Sequence, residues 1–242
     1  MLNNIISAIK AYVGTLSLIS KLKLWQYFAI PILISVITAV SIFALAYVLS
    51  DNIGGAISSI WKWDFGKSTF STISAFIGGA SVVLIGLVLY KHIVLALSSP
   101  FMSPVSEKIE NYFKGADHEH KITSFQEQLI RGLRVSLRNV GKELLLTIPL
   151  LLLSWIPVIG WCFAVLSFLI QAYYAGFGNI DYTLERHFTY KQSVAFVRKH
   201  KGMAIGNGIV FMLFLLIPFI GIIIVLPLSV TAATTETIKK LK

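Results

Sequence analysis

Apolar residues in this chain gather in long uncharged stretches rather than at scattered core positions. Four stretches run Leu24 to Ser50, Ser68 to Tyr90, Leu144 to Ile180 and Gly202 to Thr235, with lengths of 27, 23, 37 and 34 residues. About 20 apolar residues in a helix cover the hydrocarbon core of a bilayer. The first two stretches therefore predict transmembrane helices at 24–50 and 68–90, joined by the loop from Asp51 to Lys67. The last two are longer than one span and short for two.

Each long stretch is interrupted near its middle by one pattern, Ile156-Pro157-Val158-Ile159-Gly160 and Ile217-Pro218-Phe219-Ile220-Gly221. Proline withholds a donor from the preceding turn and glycine lets the backbone reverse. Pro-x-x-Gly inside an apolar run thus predicts two helical hairpins, 144–180 and 202–235, with their tips in the membrane. Each arm has roughly 13 to 20 residues, enough to enter deeply and marginal for crossing. Pro157, Gly160, Pro218 and Gly221 are the expected tip residues.

A basic segment precedes each repeat, Gln126 to Glu143 and Glu185 to Lys201. In the first, Arg131, Arg134, Arg138 and Lys142 fall on one helical face and Leu129, Leu133, Leu137, Val140 and Leu144 on the other. This pattern predicts an interfacial amphipathic helix feeding a hairpin, with its arginines bound to lipid phosphates or to a substrate. At the amino terminus, Ile5, Ile6, Ile9, Tyr12, Val13 and Leu16 recur at helical spacing opposite Ser7, Lys10, Gly14 and Ser17, predicting an interfacial helix over 1–23 without a signal-peptide cleavage pattern.

Composition fits the pattern: 56% of the 242 residues are apolar and 13% charged, and mean hydropathy is +0.77. So few polar residues exclude intrinsic disorder and a water-soluble enzyme. The single cysteine, Cys162, excludes an intramolecular disulfide and reads as an inert thiol in an uncharged run. The expectation is one all-α integral membrane domain over 1–242, with two transmembrane helices, two partly penetrating hairpins and interfacial helices.

The net charge is +10. In a membrane chain this points to anionic lipid or an anionic substrate rather than nucleic acid. If the long stretches return to their own side, 19 of the 21 Lys and Arg lie on one face, which the positive-inside rule makes cytoplasmic, both termini included. The rule leaves dual insertion open.

No P-loop, Gly-x-Ser-x-Gly elbow, His-Glu-x-x-His or Cys-x-x-Cys occurs, so neither an enzyme nor a cofactor is expected. His118-Glu119-His120 reads as a solvated turn rather than a metal site. The half-helices beginning at Gly160 and Gly221 offer free N–H groups to an anion, or simply cap the hairpins. Two polar clusters flank apolar runs: Glu107 and Glu110 after Ser98 to Pro104, and Asp181 and His187 after Asn179. They serve either as interface anchors or as a network lining a pathway.

The ordered motifs resemble the CysZ-type sulfate permeases and the wider etoposide-induced membrane protein group. Ser99-Pro100-Phe101 with Glu107 and Glu110 is similar to the family's Ala-Pro-Phe and acidic stretch, as are the Ile-Pro-x-Ile-Gly turn at 156–160, the Asp181-Tyr182 pair with trailing His187, and the second turn at Pro218. The resemblance implies two long transmembrane helices, two partial hairpins, homo-oligomers and a bacterial cytoplasmic membrane. Functionally it implies entry of sulfate or a similar oxyanion for cysteine synthesis. The family's Gly-Leu-Arg motif before the first long helix is replaced by Lys23-Leu24-Trp25-Gln26, leaving Lys21 and Lys23 as candidate anion-binding residues, with Glu107, Glu110, Asp181 and His187 along the path. Lysine is a point charge and does not reproduce bidentate arginine recognition. The alternative function is a non-transporting scaffold that binds anionic lipid.

Overall fold

The computed structural model describes residues 1–59, 66–115, 121, 123–154, 156, 158–217 and 220–241, with side chains at all of these except 50–51, 53–54, 57, 67, 75–85, 87, 220 and 222. The described residues form helices and connections, with no strand among them. In chain order the helices are α1 (Leu2–Lys10), α2 (Thr15–Lys21), α3 (Ala29–Ser58), α4 (Lys67–Leu97), α5 (Ser99–Lys114), α6 (Phe125–Leu153), α7 (Gly160–Leu184), α8 (Tyr190–Lys199), α9 (Lys201–Leu215) and α10 (Ile220–Lys240). A 3-10 turn, Leu24–Tyr27, links α2 to α3.

Among the described residues, two segments are long and apolar enough to cross a membrane, Ala29–Leu49 within α3 and Gly160–Leu184, which is α7. The first falls inside the expected span 24–50, whose opening residues form the 3-10 turn instead. The expected span 68–90 lies inside the 31-residue α4, and most of its central side chains are outside the described residues. Helix α7 departs from the expectation of a short hairpin arm. It runs 25 residues because the polar block Asn179-Ile180-Asp181-Tyr182 continues the helix instead of ending it.

The basic segment and the first hairpin arm are one continuous 29-residue helix, α6, started by a Ser124–Glu127 capping box. Its buried stripe is Gly132, Val135, Ser136, Asn139, Glu143 and Thr147, while Leu133 and Leu137 point outward. This reverses the soluble amphipathic pattern, because lipid accepts leucine and the small polar stripe allows close helix packing. The same inversion holds between near neighbours: Glu143 is fully buried, whereas Leu145 is 73% exposed. Exposed Val40, Phe43, Leu152 and Trp161 extend that apolar surface.

The amino-terminal segment read as one helix is two. Gly14 adopts φ +88°, in the left-handed region, and α1 and α2 meet at a 47° bend. Helix α1 docks on α9, where a Cβ at Gly206 would come 2.4 Å from the Ile5 carbonyl oxygen. Its continuation is anchored by polar contacts, since the Tyr12 hydroxyl bridges the Asn207 carbonyl and Ser229 Oγ at 2.8 Å each. Helices α7 and α9 approach more closely still: a Cβ at Gly208 would lie 1.7 Å from the Ala172 carbonyl oxygen, and one at Gly176 1.9 Å from that of Ala204.

Helices α6 and α7 pack together across the short connection 154–159, as do α9 and α10 across 216–219. A Cβ at Gly160 would meet the Ser154 carbonyl oxygen at 2.0 Å, and one at Gly221 that of Phe214 at 1.9 Å. Both connections thus bring backbone against a glycine. Pro157 and Pro218 lie outside the described residues.

Candidate functional site

Charged side chains collect where α5 and α6 meet the end of α7. Glu110 of α5 is buried and, among the described residues, accepts from Arg186, His187 and Lys114. Arg186 Nη2 reaches Glu110 Oε2 at 3.1 Å, while His187 Nε2 and Lys114 Nζ reach Oε1 at 2.8 and 3.0 Å. Arg186 is itself held by the Ser106 hydroxyl at 2.7 Å and by the carbonyls of Ser103 and Tyr182. Burial raises the Glu110 carboxyl, but the bonds from His187, Lys114 and Arg186 outweigh it and hold the group well below the usual carboxylate range.

On the α6 side, Arg131 grips Asp181 with two bonds of 2.9 Å, the planar fork matching the carboxylate. It also donates to the Phe188 carbonyl at 2.7 Å and to the Ser193 hydroxyl at 2.6 Å. Between the two clusters lies Glu185, whose carboxylate accepts from the Ser103 hydroxyl. Burial pushes Glu185 up to about 7, the Ser103 bond lowers it, and the nearby Asp181 charge raises it. A continuous belt of charge therefore joins α5, α6 and α7.

Within the bundle a third cluster has almost no solvent contact. Lys91 Nζ of α4 donates to Glu143 Oε1 of α6 at 2.6 Å, and His92 Nε2 lies 2.9 Å from Glu143 Oε2, with side-chain exposures of 0%, 0% and 2% for Lys91, Glu143 and His92. One turn further along α6, the buried Thr147 hydroxyl has no partner among the described residues, nor do Ser167 Oγ of α7 and His92 Nδ1. Unpaired buried hydroxyls are expensive in an apolar interior and mark positions where water or a polar solute can be held.

Of the residues singled out in the sequence, Glu110 and His187 are in direct contact, and Asp181 stands in the adjoining pair. Glu107 is half-buried on α5 one turn before Glu110. Lys21 lies apart from them, its Nζ donating to the Tyr112 hydroxyl at 2.6 Å and sitting 4.8 Å from that ring's centre. Exposed Lys23 opens the 3-10 turn at φ +52°. Gly160 opens α7 and Gly221 lies in the first turn of α10, just after the two connections. Lys91, His92 and Glu143 escaped the sequence reading because they border uncharged stretches, and stretches measured from charge to charge exclude their own borders. In the structure α4 continues to Leu97 and carries Lys91 past the expected end of the span.

Among the described residues no group of three His, Cys, Asp or Glu is placed to hold a metal ion, and His118-Glu119-His120 lies outside them. A helical chain with an apolar exterior and charges paired inside is an integral membrane protein, not a soluble one carrying a sticky patch.

The family described as sulfate transporter CysZ/etoposide-induced protein 2.4 matches residues 11–225, and the chain belongs to it. Similar relatives include sulfate transporter CysZ of Pseudomonas fluorescens Pf-5, 30% identical over 57% of this chain and 56% of that protein. The namesake of Pseudomonas fluorescens Pf0-1 is 27% identical over 85% of this chain and 82% of that protein. That of Pectobacterium atrosepticum is 29% identical over 64% and 57%. Two of these three matches thus span little more than half of the relative's length.

Proposed function

We propose that this protein moves sulfate, or a similarly small oxyanion, across a bacterial cytoplasmic membrane to feed sulfur assimilation. The family match over residues 11–225, with relatives named sulfate transporters, carries this reading. Lys21 and Lys23 attract the anion at the entrance. The Glu110 and Asp181 clusters act as a frame, since every acid there already faces a donor and repels a dianion only weakly. Further in, beside the paired Lys91 and Glu143, the hydroxyls of Thr147 and Ser167 supply donors that add no unpaired charge. In this reading the hairpins penetrate partway, the termini are cytoplasmic, the chain acts as a homo-oligomer within one membrane domain, and no catalytic step occurs.

The test is labelled-sulfate uptake into proteoliposomes holding the purified full chain, with empty liposomes as baseline and phosphate, thiosulfate and sulfite as competitors. Saturable uptake above baseline is expected. Baseline flux from folded, inserted protein would overturn the reading in favour of a non-transporting scaffold.

A further inference from the structure

Four cations line a groove of about 580 Å³ where α6, α7, α8 and α9 meet: Arg138 and Lys142 from α6, Arg198 from α8 and Lys201 from α9. No carboxylate lines it among the described residues. In this respect it is unlike the three clusters above, in which Lys91, Arg131 and Arg186 each face an acid. Tyr173 and Tyr174 of α7 line the groove beside these cations.

The other end of the groove is apolar, lined by Leu146 of α6 and by Leu166, Leu169 and Ile170 of α7. At 1.5 Å per residue, Leu146 is about 12 Å along α6 from Arg138. Along the α6 wall the polarity therefore changes from Arg138 and Lys142 to aliphatic Leu146, and beyond it the outward-facing Leu152 continues the apolar surface. The space is in the range of pockets that hold whole drug-sized molecules, about 300–1,000 Å³, and far exceeds one tetrahedral anion. A site for a small hydrated dianion has no use for an aliphatic floor.

We propose that this groove is a binding site for an anionic glycerophospholipid, with the phosphate held among Arg138, Lys142, Arg198 and Lys201 and one acyl chain along Leu146, Leu166, Leu169 and Ile170. Charge complementarity selects the head and the aliphatic floor selects the tail. The site stands whether or not sulfate moves through the protein.

Native mass spectrometry of the full chain in neutral detergent tests it, with phosphatidylglycerol, phosphatidylcholine, glycerol phosphate and inorganic sulfate as probes. Phosphatidylglycerol is expected to remain bound at one per chain more strongly than phosphatidylcholine, and neither soluble anion should displace it. R198Q/K201Q is expected to weaken phosphatidylglycerol retention about tenfold or more, since two of the four cations around the phosphate are lost. K239Q/K240Q, with the same charge change on α10, should leave it unchanged. If R198Q/K201Q loses its cooperative thermal transition, R138Q/K142Q replaces it in the same comparison. Equal retention of the two lipids, or equal loss in the K239Q/K240Q control, would overturn the proposal. Displacement by glycerol phosphate or sulfate would make the groove a free-oxyanion site and overturn it as well.

Discussion

Lys91 is a buried ammonium whose only carboxylate contact among the described residues is Glu143, itself shared with His92. Removing one partner of such a pair strands the other charge, whereas removing both restores neutrality. E143Q is expected to lower stability by about 3–5 kcal/mol, and K91M/E143Q by clearly less than the sum of its single variants. Thermal unfolding in detergent reads the cycle, and strict additivity would mean that the two side chains do not interact.

Glu185 gives a second residue-scale expectation. Its carboxyl moves from an ordinary 4.5 to about 7 on folding. The folded state therefore binds more protons than the unfolded one between those values, and stability falls as pH rises from about 4.5 to about 7, then levels off. The difference is at most about 3 kcal/mol. E185Q should flatten that slope while leaving the acid-side loss, where Glu110 is protonated, in place. Melting temperatures measured from pH 2 to 8 would show both; an unchanged slope between pH 4.5 and 7 in E185Q would assign the effect elsewhere.

At the scale of elements, glycine serves two different ends. Gly208 lets α9 meet the backbone of α7, and a methyl group there has no direction in which to relax against a carbonyl 1.7 Å away. Gly14 stands in open space but at φ +88°. G208A should therefore separate two helices and cost about 3 kcal/mol or more, as overpacking does at its upper end. G14A should cost about 1 kcal/mol, the strain of a left-handed alanine. Comparable unfolding midpoints for the two variants would contradict the close α7–α9 contact.

Across the described residues, the surface presents leucine while the paired charges lie inside beside an apolar core that holds Phe28, Met102, Phe177 and Phe211, as expected where lipid is the outer solvent. Transport, if it follows the proposed route, depends on Lys21 and Lys23 together. K21Q/K23Q is expected to reduce sulfate flux several-fold with K239Q/K240Q unaffected, and wild-type flux would remove those lysines from the mechanism. Flux in E110Q should fall with stability, since Glu110 holds three donors in place rather than meeting the solute.

The sequence by itself determined the helical membrane class and the family, because these depend on local composition and order. It also singled out Glu110, Asp181 and His187. Only the tertiary structure decided their partners: Arg131 pairs with a residue 50 positions away and Arg186 with one 76 positions away, and helix packing sets such pairings. The Lys91–Glu143–His92 cluster was illegible for a related reason. A charge at the edge of an apolar run reads the same whether its helix ends there or carries it inward, and the burial of Lys91 follows from how α4 packs against α6 and α7.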